Sequence, residues 1–408
     1  MLNWAQPFGI FCFLDNHQYQ MAPHSLEFML AAGCKRKISS AGQHSLGDLQ
    51  TFISERPAWL MGHLGYDLKN EIESLSTTLP DHIHFPDFFF FEPEILIRYG
   101  PEGLDIEAIN PRDVFAQICN TNKNTLPLEP IPDGIRSRLS KQEYKEIIGQ
   151  LRRHILRGDC YEINFCVEFY ANAVRLQPLT VYERLSRLSP NPFSAFYRLE
   201  DKFLLCASPE RYLKKTGATL FSQPIKGTAG RVAGDPEADE RNRENLYRSR
   251  KDRSENVMVV DLVRNDLSKI CREGTVQVDE LYAVYPFPQV FQMISTVSGM
   301  VEDTVRFEDM VRATFPMGSM TGAPKRNVLR LIDRYEKTKR GIFSGSLGYI
   351  TPGGDFDFNV VIRSILYNSA SGYLSYLAGS GITFYSNPDK EWEECLLKAE
   401  AIHKVLVP

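Results

Sequence analysis

The sequence predicts an α+β fold in which mostly antiparallel sheets are flanked by helices. Short strand-like runs follow one another directly, for example at 194–199, 203–207 and 211–215. Segments with helical spacing lie between such groups of strands, without the regular strand–helix alternation that builds parallel sheets. A turn sequence at 352–355 also separates two apolar runs, which is the pattern of an antiparallel hairpin.

The individual elements follow from the spacing of apolar residues. Strands are predicted at 8–15, 59–66, within 85–99, and at 161–171, 194–199, 203–207, 211–215, 218–222, 343–350, 356–367 and 373–385. Helices are predicted from the capping box at 140–143 to Gly158, and at 179–188, 307–315, 325–337 and 388–406. The charged segment 236–256 is interpreted as a solvated helix face that becomes buried towards its end.

Length and composition indicate a large globular chain. It has 408 residues, of which 43% are hydrophobic, and such a length suggests two or three units. The formal charge of −4 gives no support for nucleic-acid binding. No apolar run reaches the roughly 18 residues of a membrane span, and residues 1–20 lack the basic leader of a signal peptide. With eight scattered cysteines and no CxxC pair, we expect a cytoplasmic protein without membrane association.

A stretch rich in proline and polar residues, 110–137, is the best candidate for a linker. It separates an N-terminal region, 1–130, from a larger region, 138–408, that we expect to carry the chemistry. None of the eight histidines lies between Cys160 and Glu400. Catalysis there would therefore use carboxylates, lysines and backbone groups, and a Ser-His-Asp triad is disfavoured.

One lysine, Lys226, follows the predicted strand 218–222 in the sequence Gln-Pro-Ile-Lys-Gly-Thr. It is the single charge of that stretch. Apolar or small neighbours would desolvate its ammonium group, lower its pKa and so produce a nucleophile. A surface lysine in a turn explains the stretch alone at least as well.

Several motifs occur together in a fixed order. They are Ser-Pro-Glu-Arg at 208–211, Pro-Ile-Lys-Gly-Thr at 224–228, Arg-Ser-Glu-Asn at 253–256, 261–266, 318–325, Gly-Ser-Leu-Gly-Tyr at 345–349, 361–364, Ala-Gly-Ser-Gly-Ile at 378–382, and Glu-Trp-Glu-Glu at 391–394. In this order they resemble the chorismate-utilising enzymes, which include anthranilate, isochorismate and salicylate synthases and aminodeoxychorismate synthase component I. The resemblance is dense over 138–406 and weaker at 13–16 and 62–67. It implies an anthranilate synthase component I-like fold with chorismate as substrate.

The residue at position 226 distinguishes subgroups of this family. Anthranilate, isochorismate and salicylate synthases have alanine there, whereas lysine resembles aminodeoxychorismate synthase component I. The resemblance implies that Lys226 attacks C2 of chorismate while Glu210, with a raised pKa, protonates the leaving 4-hydroxyl as general acid. Ammonia then adds at C4, and the product is 4-amino-4-deoxychorismate, a precursor of p-aminobenzoate and folate.

The resemblance also implies the groups that hold the substrate. Glu255 and Glu394, helped by Glu391, would bind Mg²⁺, although an acidic first turn explains the two glutamates of the last helix better when that helix is taken alone. The enolpyruvyl carboxylate would be held by Arg363 and by backbone N–H groups. The residues implied to contact chorismate are Gly227, Thr228, Thr321, Phe343, Arg363, Gly379, Ser380, Gly381 and Lys398.

The chain departs from the family at three positions, Glu162, Gln292 and Phe343, of which Phe343 stands where anthranilate synthases have tyrosine. Amine-adding members usually have glutamine where this chain has Glu162, and water-adding members have lysine, which argues against an isochorismate synthase. Gln292 stands where many members carry histidine. Related enzymes also hold tryptophan as an effector near the residues that correspond here to Leu14, Asp15 and Asn16 and to Pro192, Phe193 and Ser194.

Ammonia must be supplied from elsewhere, because no cysteine stands in the setting of a glutaminase nucleophile with a histidine partner. We therefore expect a separate glutamine amidotransferase subunit as partner. Two alternatives remain open at this point. One is anthranilate synthase component I, against which Lys226 argues, and the other is a non-catalytic chorismate-binding subunit, against which the retention of Glu210 and Lys226 argues.

Overall fold

The computed structural model describes residues 1–19, 26–40, 45–123 and 130–407. The helices in these ranges are α1 (Leu2–Ala5), α2 (Ser45–Ser54), α3 (Lys69–Glu73), α4 (Pro111–Asn120), α5 (Lys141–Leu156), α6 (Pro178–Leu188), α7 (Pro236–Arg248), α8 (Arg250–Ser268), α9 (Phe307–Thr314), α10 (Lys325–Tyr335) and α11 (Pro388–Leu406). The strands are β1 (Ile10–Asp15), β2 (Phe28–Ala32), β3 (Arg36–Ser39), β4 (Leu60–Leu64), β5 (Phe88–Glu92), β6 (Ile95–Gly100), β7 (Gly103–Glu107), β8 (Arg136–Ser137), β9 (Glu162–Ala171), β10 (Phe193–Leu199), β11 (Lys202–Ser208), β12 (Arg211–Thr216), β13 (Thr219–Gln223), β14 (Ile225–Gly230), β15 (Gln277–Pro286), β16 (Val290–Met300), β17 (Gly322–Ala323), β18 (Ser346–Ile350), β19 (Phe356–Asn359), β20 (Ser364–Asn368) and β21 (Tyr373–Ile382).

The strands form two large sheets. The first has the order β17-β9-β21-β20-β11-β10-β1-β2-β6-β7 with β8 beside β9, and the second has the order β14-β16-β13-β12-β19-β18-β4-β5-β3 with β15 beside β16. The pairings between these strands are antiparallel. The predicted α+β class with antiparallel sheets is confirmed.

The main hydrophobic core lies between the two sheets, where side chains from both inner faces meet. His63 on β4 reaches Tyr197 on β10, with 3.1 Å between Nδ1 and the phenol oxygen, and so joins the two sheets. A second core packs helices α5, α6, α10 and α11 against the outer face of the first sheet, and Tyr144 is buried within it. Helix α9 covers the second sheet, where Phe307 packs edge-on against Phe90.

Strands of the N-terminal region complete both sheets: β1, β2, β6 and β7 lie in the first, and β3, β4 and β5 in the second. The division of the chain into an N-terminal region, 1–130, and a catalytic region, 138–408, remains a prediction. The predicted linker is wrong at 111–120, which forms helix α4 with Pro111 at its first position and Val114 buried. Proline is tolerated there because the first N–H of a helix has no partner within the helix. Residues 124–129 of the predicted linker lie outside the described residues.

An interruption of a predicted strand places Arg363 between the two sheets. The predicted strand 356–367 is in fact two strands, because the chain leaves the second sheet after β19 and enters the first at β20. Arg363 lies in this crossing, directly before β20, and adopts a left-handed conformation with φ of +50°. The predicted hairpin between β18 and β19 is confirmed. Within the described residues, the helices do not include one that is long and apolar enough to cross a membrane.

Candidate active site

Lys226 lies inside strand β14, at an irregularity of the sheet. The pairing of β14 with β16 shifts register between Ile225 and Thr228, and Gly227 adopts φ of +97°. Such a bulge redirects a side chain out of the alternation of the strand. A Cβ at 227 would lie 3.0 Å from Cβ of Asp252 on α8, so glycine allows this close packing as well as the backbone conformation.

The surroundings of Lys226 are acidic, and this corrects the expectation of apolar or small neighbours. Its Nζ lies 2.7 Å from Oε1 of Glu162, and the lysine side chain is 11% exposed. Burial alone would lower the pKa of Lys226, but the negative charges of Glu162, Glu255 and Glu210 raise it above its usual range. The resting lysine is therefore an ammonium ion that must lose a proton before it can act as a nucleophile.

Glu210 follows strand β11 in a tight turn. Its N–H donates to the Ser208 hydroxyl at 3.2 Å, and its carbonyl oxygen accepts from the N–H of Val360 at 3.0 Å. The residue is 4% exposed. Burial raises the pKa of Glu210 to about 7, against the opposing charge of Lys226. A carboxyl group that keeps its proton near neutral pH is suited to act as a general acid.

The predicted metal-binding glutamates lie on two helices, Glu255 on α8 and Glu391 and Glu394 on α11. Buried Oε1 of Glu255 and buried Oε2 of Glu391 have no hydrogen-bond partner. Burial raises the pKa of Glu255 to about 7, against the opposing charges of Lys226 and Lys251. Burial alone would also raise the pKa of Glu394, but Lys398, 2.7 Å from its Oε1, lowers it.

These carboxylates fit a hard cation, because two of the three present unpartnered oxygens in a buried setting. In the parts of the chain that the structure describes, three or more acidic, histidine or cysteine side chains are not gathered into a ready-made metal site. Mg²⁺ characteristically takes one or two protein carboxylates and completes its shell with water and substrate oxygens. The glutamates are therefore compatible with Mg²⁺ held jointly with a substrate carboxylate, and the metal remains a prediction.

The predicted carboxylate clamp has two components. Among the described residues, no side chain makes a hydrogen bond or ion pair with the Arg363 guanidinium. Burial lowers the pKa of Arg363, and the negative charge of Glu210 partly offsets this lowering. The second component is the edge of β21. Cys166 donates its N–H to Glu336, and Asn164 donates its N–H to the carbonyl of Thr321, so neither bonds to the β21 residue opposite it.

The β21 residues opposite Cys166 and Asn164 are Gly379 and Gly381. In an antiparallel ladder, such non-bonded positions turn their own N–H groups away from the partner strand. The N–H groups of these two glycines therefore point away from β9, where an anion could accept from them. Ser380, between them, turns its hydroxyl towards Tyr144, 3.1 Å away, on the opposite face of the strand. Lys398 donates to the Gly379 carbonyl at 2.9 Å and ties α11 to this edge.

The other residues predicted to contact substrate have different settings. Thr321 is fully buried, and its hydroxyl donates to the Met317 carbonyl at 3.1 Å. Phe343 is part of the core between the sheets. Thr228 is exposed, and its hydroxyl donates to Gln292 at 2.9 Å.

The predicted effector residues are brought together from distant parts of the chain. A cavity between the two sheets is lined by all six of them, Leu14, Asp15, Asn16, Pro192, Phe193 and Ser194. Strands β1 and β10 pair so that Asp15 lies opposite Ser194 and Leu14 opposite Ala195. Arg211 and Asp357 of the second sheet close the cavity. This cavity is separate from the residues around Lys226, and the binding of an effector in it remains a prediction.

Two side chains of the site were not predicted from the sequence. Glu162 was expected only as a departure from the family, without a place beside Lys226. The other is Lys251, whose Nζ lies 3.7 Å from Oε1 of Glu255. The i, i+4 spacing of Lys251 and Glu255 on one helix was the available signal, whereas the contact between Glu162 and Lys226 joins residues in different sheets and left no local signal.

Comparison with known proteins identifies the family of the chain. The family of chorismate binding enzymes matches residues 17–404. Aminodeoxychorismate synthase component 1 of Salmonella typhimurium is 33% identical over 345 residues, covering 84% of this chain and 75% of that protein. The protein of the same name from Escherichia coli is 32% identical, covering 85% of this chain and 76% of that protein.

Among solved structures, anthranilate synthase component I from Streptococcus pneumoniae superposes with a TM-score of 0.82 at 24% identity, covering 94% of this chain and 93% of that one. The menaquinone-specific isochorismate synthase of Escherichia coli superposes with a TM-score of 0.80 at 18% identity, covering 99% of this chain and 91% of that one. These likenesses establish the fold. Taken with the family match and the relatives above 30% identity, they place the chain in the family of chorismate binding enzymes.

Proposed function

We propose that this protein is an aminodeoxychorismate synthase component I, which converts chorismate and ammonia to 4-amino-4-deoxychorismate. The observation that carries the proposal is a buried lysine, Lys226, in one site with a buried glutamate, Glu210, whose pKa lies near neutrality. A nucleophile and a general acid are the two groups needed to displace a hydroxyl through a covalent intermediate. The names of the relatives from Salmonella typhimurium and Escherichia coli support the same reaction.

In the first step, the neutral amine of Lys226 forms a bond to C2 of the ring. The two ring double bonds shift, the C4–oxygen bond breaks, and the 4-hydroxyl leaves as water with the proton of Glu210. Because Glu210 is buried and holds its proton near pH 7, it can donate at the moment when the leaving oxygen becomes basic.

In the second step, ammonia forms a bond to C4, the double bonds shift back, and the bond between C2 and Lys226 breaks. The product keeps its enolpyruvyl group, and Glu210 regains a proton from solvent before the next cycle. The net change replaces the 4-hydroxyl by an amino group with release of water. The covalent adduct divides one difficult displacement into two easier ones.

The substrate carries two carboxylates, and the site offers two complementary regions. Arg363 and the N–H groups of Gly379 and Gly381 would bind the enolpyruvyl carboxylate, since a guanidinium fork and open backbone donors suit an anion. Glu255, Glu391 and Glu394 would hold Mg²⁺ against the ring carboxylate. Mg²⁺ bound there would withdraw electron density from the ring and favour the displacement.

We also propose that ammonia is delivered by a separate glutamine amidotransferase subunit. A glutaminase of this kind needs a cysteine thiolate served by histidine. Burial raises the pKa of Cys160, Cys206, Cys271 and Cys395 to about 11, which opposes thiolate formation. Between cysteine and histidine side chains of the described residues, no hydrogen bond is formed. The isolated chain should therefore use ammonium at elevated pH, and glutamine only after the amidotransferase is added.

The function is tested by incubating the purified chain with chorismate, Mg²⁺ and ammonium and identifying the product by mass spectrometry. We expect 4-amino-4-deoxychorismate, with the enolpyruvyl group retained. Anthranilate with released pyruvate would instead identify an anthranilate synthase, and unchanged chorismate would indicate a non-catalytic subunit. Glutamine-driven turnover by the chain alone would contradict the proposed partner.

A further inference from the structure

We propose that Glu162 is the base that accepts the proton of Lys226, so that the lysine becomes a nucleophile. This inference rests on the proposed function, since it concerns the attack of Lys226 on C2. In the chain that the structure describes, Glu162 is the one carboxylate within hydrogen-bonding distance of Nζ, at 2.7 Å. A base must first meet this distance, and its acidity matters only afterwards.

The position of Glu162 is held firmly by its neighbours. It is the first residue of β9 and lies between β17 and β21, opposite Ala323 on one side. Its side chain is 3% exposed, and its second oxygen, Oε2, is buried without a partner. An unpartnered oxygen leaves the carboxyl group free to take up a proton without breaking another hydrogen bond.

Gly381 makes room for the contact between Glu162 and Lys226. A Cβ at 381 would lie 2.8 Å from Oε1 of Glu162 and 3.0 Å from Nζ of Lys226. The backbone of β21 therefore packs directly against the pair of side chains. This packing holds Oε1 of Glu162 against Nζ, so that the proton has a protein acceptor in direct contact.

Lys226, Glu162 and Glu210 together account for every proton that moves. Before attack, the ammonium of Lys226 passes one proton to the carboxylate of Glu162, which gives a neutral amine and a carboxylic acid. Nζ then bonds to C2 while Glu210 protonates the leaving hydroxyl. When ammonia has displaced the lysine, Glu162 returns its proton to the free amine, and the ion pair is restored.

Other charged groups face the pair from every side of the site. Glu210 lies between β11 and β12, and Glu255 and Lys251 lie on α8. Glu394 and Lys398 face it from α11. Glu210 acts in the same step as general acid, so its own titration influences the rate of the wild type and of a Glu162 variant alike. A ratio of the two rates removes this shared influence.

The test is a single-turnover experiment without ammonia, in which formation of the Lys226 adduct is followed by rapid quenching and intact-protein mass spectrometry. Glu162→Gln keeps the shape and the hydrogen bond but cannot accept a proton. We expect adduct formation in this variant to be slower by about a hundredfold at pH 7, with an unchanged KM for chorismate. The ratio of wild-type to variant rate should fall by about tenfold for each unit of rising pH, because hydroxide then replaces the base.

Glu162→Asp should restore a ratio that is independent of pH, at a lower absolute rate, because it keeps a carboxylate. Glu168→Gln is the matched control, since Glu168 is a buried glutamate of the same strand that pairs with Arg138, and this variant should keep the wild-type profile. A ratio for Glu162→Gln that is constant over pH, or a rate equal to wild type at pH 7, would overturn the inference alone. Absence of a Lys226 adduct in the wild type would overturn the proposed function together with it.

Discussion

Two groups of buried charges lie along the same strand, β9, and they differ in how completely their polar atoms are satisfied. Glu336 and Arg340 lie against its middle, each at most 2% exposed in the side chain. Oε1 of Glu336 accepts from the Cys166 N–H at 2.9 Å and from Arg340 at 2.6 Å, and Oε2 accepts from Arg340 at 3.0 Å. Arg340 also donates to the Asn164 and Met320 carbonyls. We call Glu336 and Arg340 the structural pair.

The residues that we propose to take part in catalysis lie at the start of the strand, and we call them the catalytic cluster: Glu162, Glu210, Lys226, Glu255, Glu391 and Glu394. Its carboxylates outnumber its one lysine, and buried oxygens of Glu162, Glu255 and Glu391 have no hydrogen-bond partner. A buried charge is costly unless it is paired and hydrogen-bonded. The structural pair is complete within the protein, whereas the catalytic cluster needs a ligand to become complete. This contrast predicts that substitutions in the structural pair mainly lower the stability of the fold. Substitutions in the catalytic cluster should mainly lower the activity.

The largest effect is expected for Lys226→Ala. Loss of the nucleophile removes the covalent route, so the rate of 4-amino-4-deoxychorismate formation should fall by about a thousandfold or more. Rate measurement at saturating chorismate and ammonium checks this. Because Lys226 belongs to the catalytic cluster, the free energy of unfolding should change far less than in a variant of the structural pair. Undiminished turnover would remove Lys226 from the mechanism.

The next largest effect is expected for Glu336→Gln, which leaves the Arg340 guanidinium buried without a counter-charge. Breaking a buried ion pair at one partner costs about 3–5 kcal/mol. Denaturant titration should therefore show a large loss of stability, while the folded fraction keeps its reaction and its product. If Glu336→Gln were as stable as wild type, the assignment of this pair to the fold would be wrong.

Glu210→Gln should raise the stability of the fold at high pH while it lowers the activity. The pKa of Glu210 is raised by burial to about 7 in the folded protein, from an ordinary value of 4.5. The stability that protonated Glu210 contributes is therefore complete below about pH 4.5 and is lost as pH rises through about 7. At pH 8 glutamine avoids a buried charge, and the variant should be more stable by up to about 3 kcal/mol, with the difference vanishing near pH 4.5.

The same Glu210→Gln variant should lose activity by about 100-fold or more, because amide nitrogen cannot supply the proton. Denaturant titrations at pH 5 and pH 8, with rate measurements on the same samples, check both expectations. A variant destabilised equally at both pH values would assign Glu210 a structural role instead.

The smallest effect concerns Mg²⁺. Binding of a cation to the unpartnered oxygens should stabilise the folded protein by mass action, by about 2–3 kcal/mol at a hundredfold excess over Kd. Thermal unfolding with and without Mg²⁺ should show this shift in the wild type and lose it in Glu255→Gln. Glu393→Gln, an exposed carboxylate next to Glu394 on α11, is the matched control and should retain it. Equal shifts in all three proteins would place the metal elsewhere.

Sequence reasoning predicted candidate residues of the site but not the contacts between them. The ordered motifs contain Glu210, Lys226 and Arg363, because each motif is local. The bulge at Gly227 and the crossing of the chain at Arg363 depend on how distant strands pair, and local propensity does not determine that pairing. The acidic setting of Lys226 was missed for the same reason, since Glu162 belongs to another sheet.

Helix α4 was missed for a different reason. Pro111 and the polar residues after 120 favour a loop when they are considered by composition. At the first position of a helix, however, proline is compatible with helical backbone angles and lacks an N–H that would need a partner. The buried Val114 then fixes the helix to the second core. Packing against the rest of the fold decided this element, as it does for many short helices.

The central claim is that Lys226 forms a covalent bond to the substrate, and it can be tested without any variant. The wild-type protein would be mixed with chorismate and Mg²⁺ in the absence of ammonia, quenched, digested and analysed by peptide mass spectrometry. We predict that the peptide containing Lys226 gains the mass of chorismate less one water, and that added ammonium removes this modification with release of 4-amino-4-deoxychorismate. A peptide that stays unmodified at every quench time while the product still forms would contradict the account.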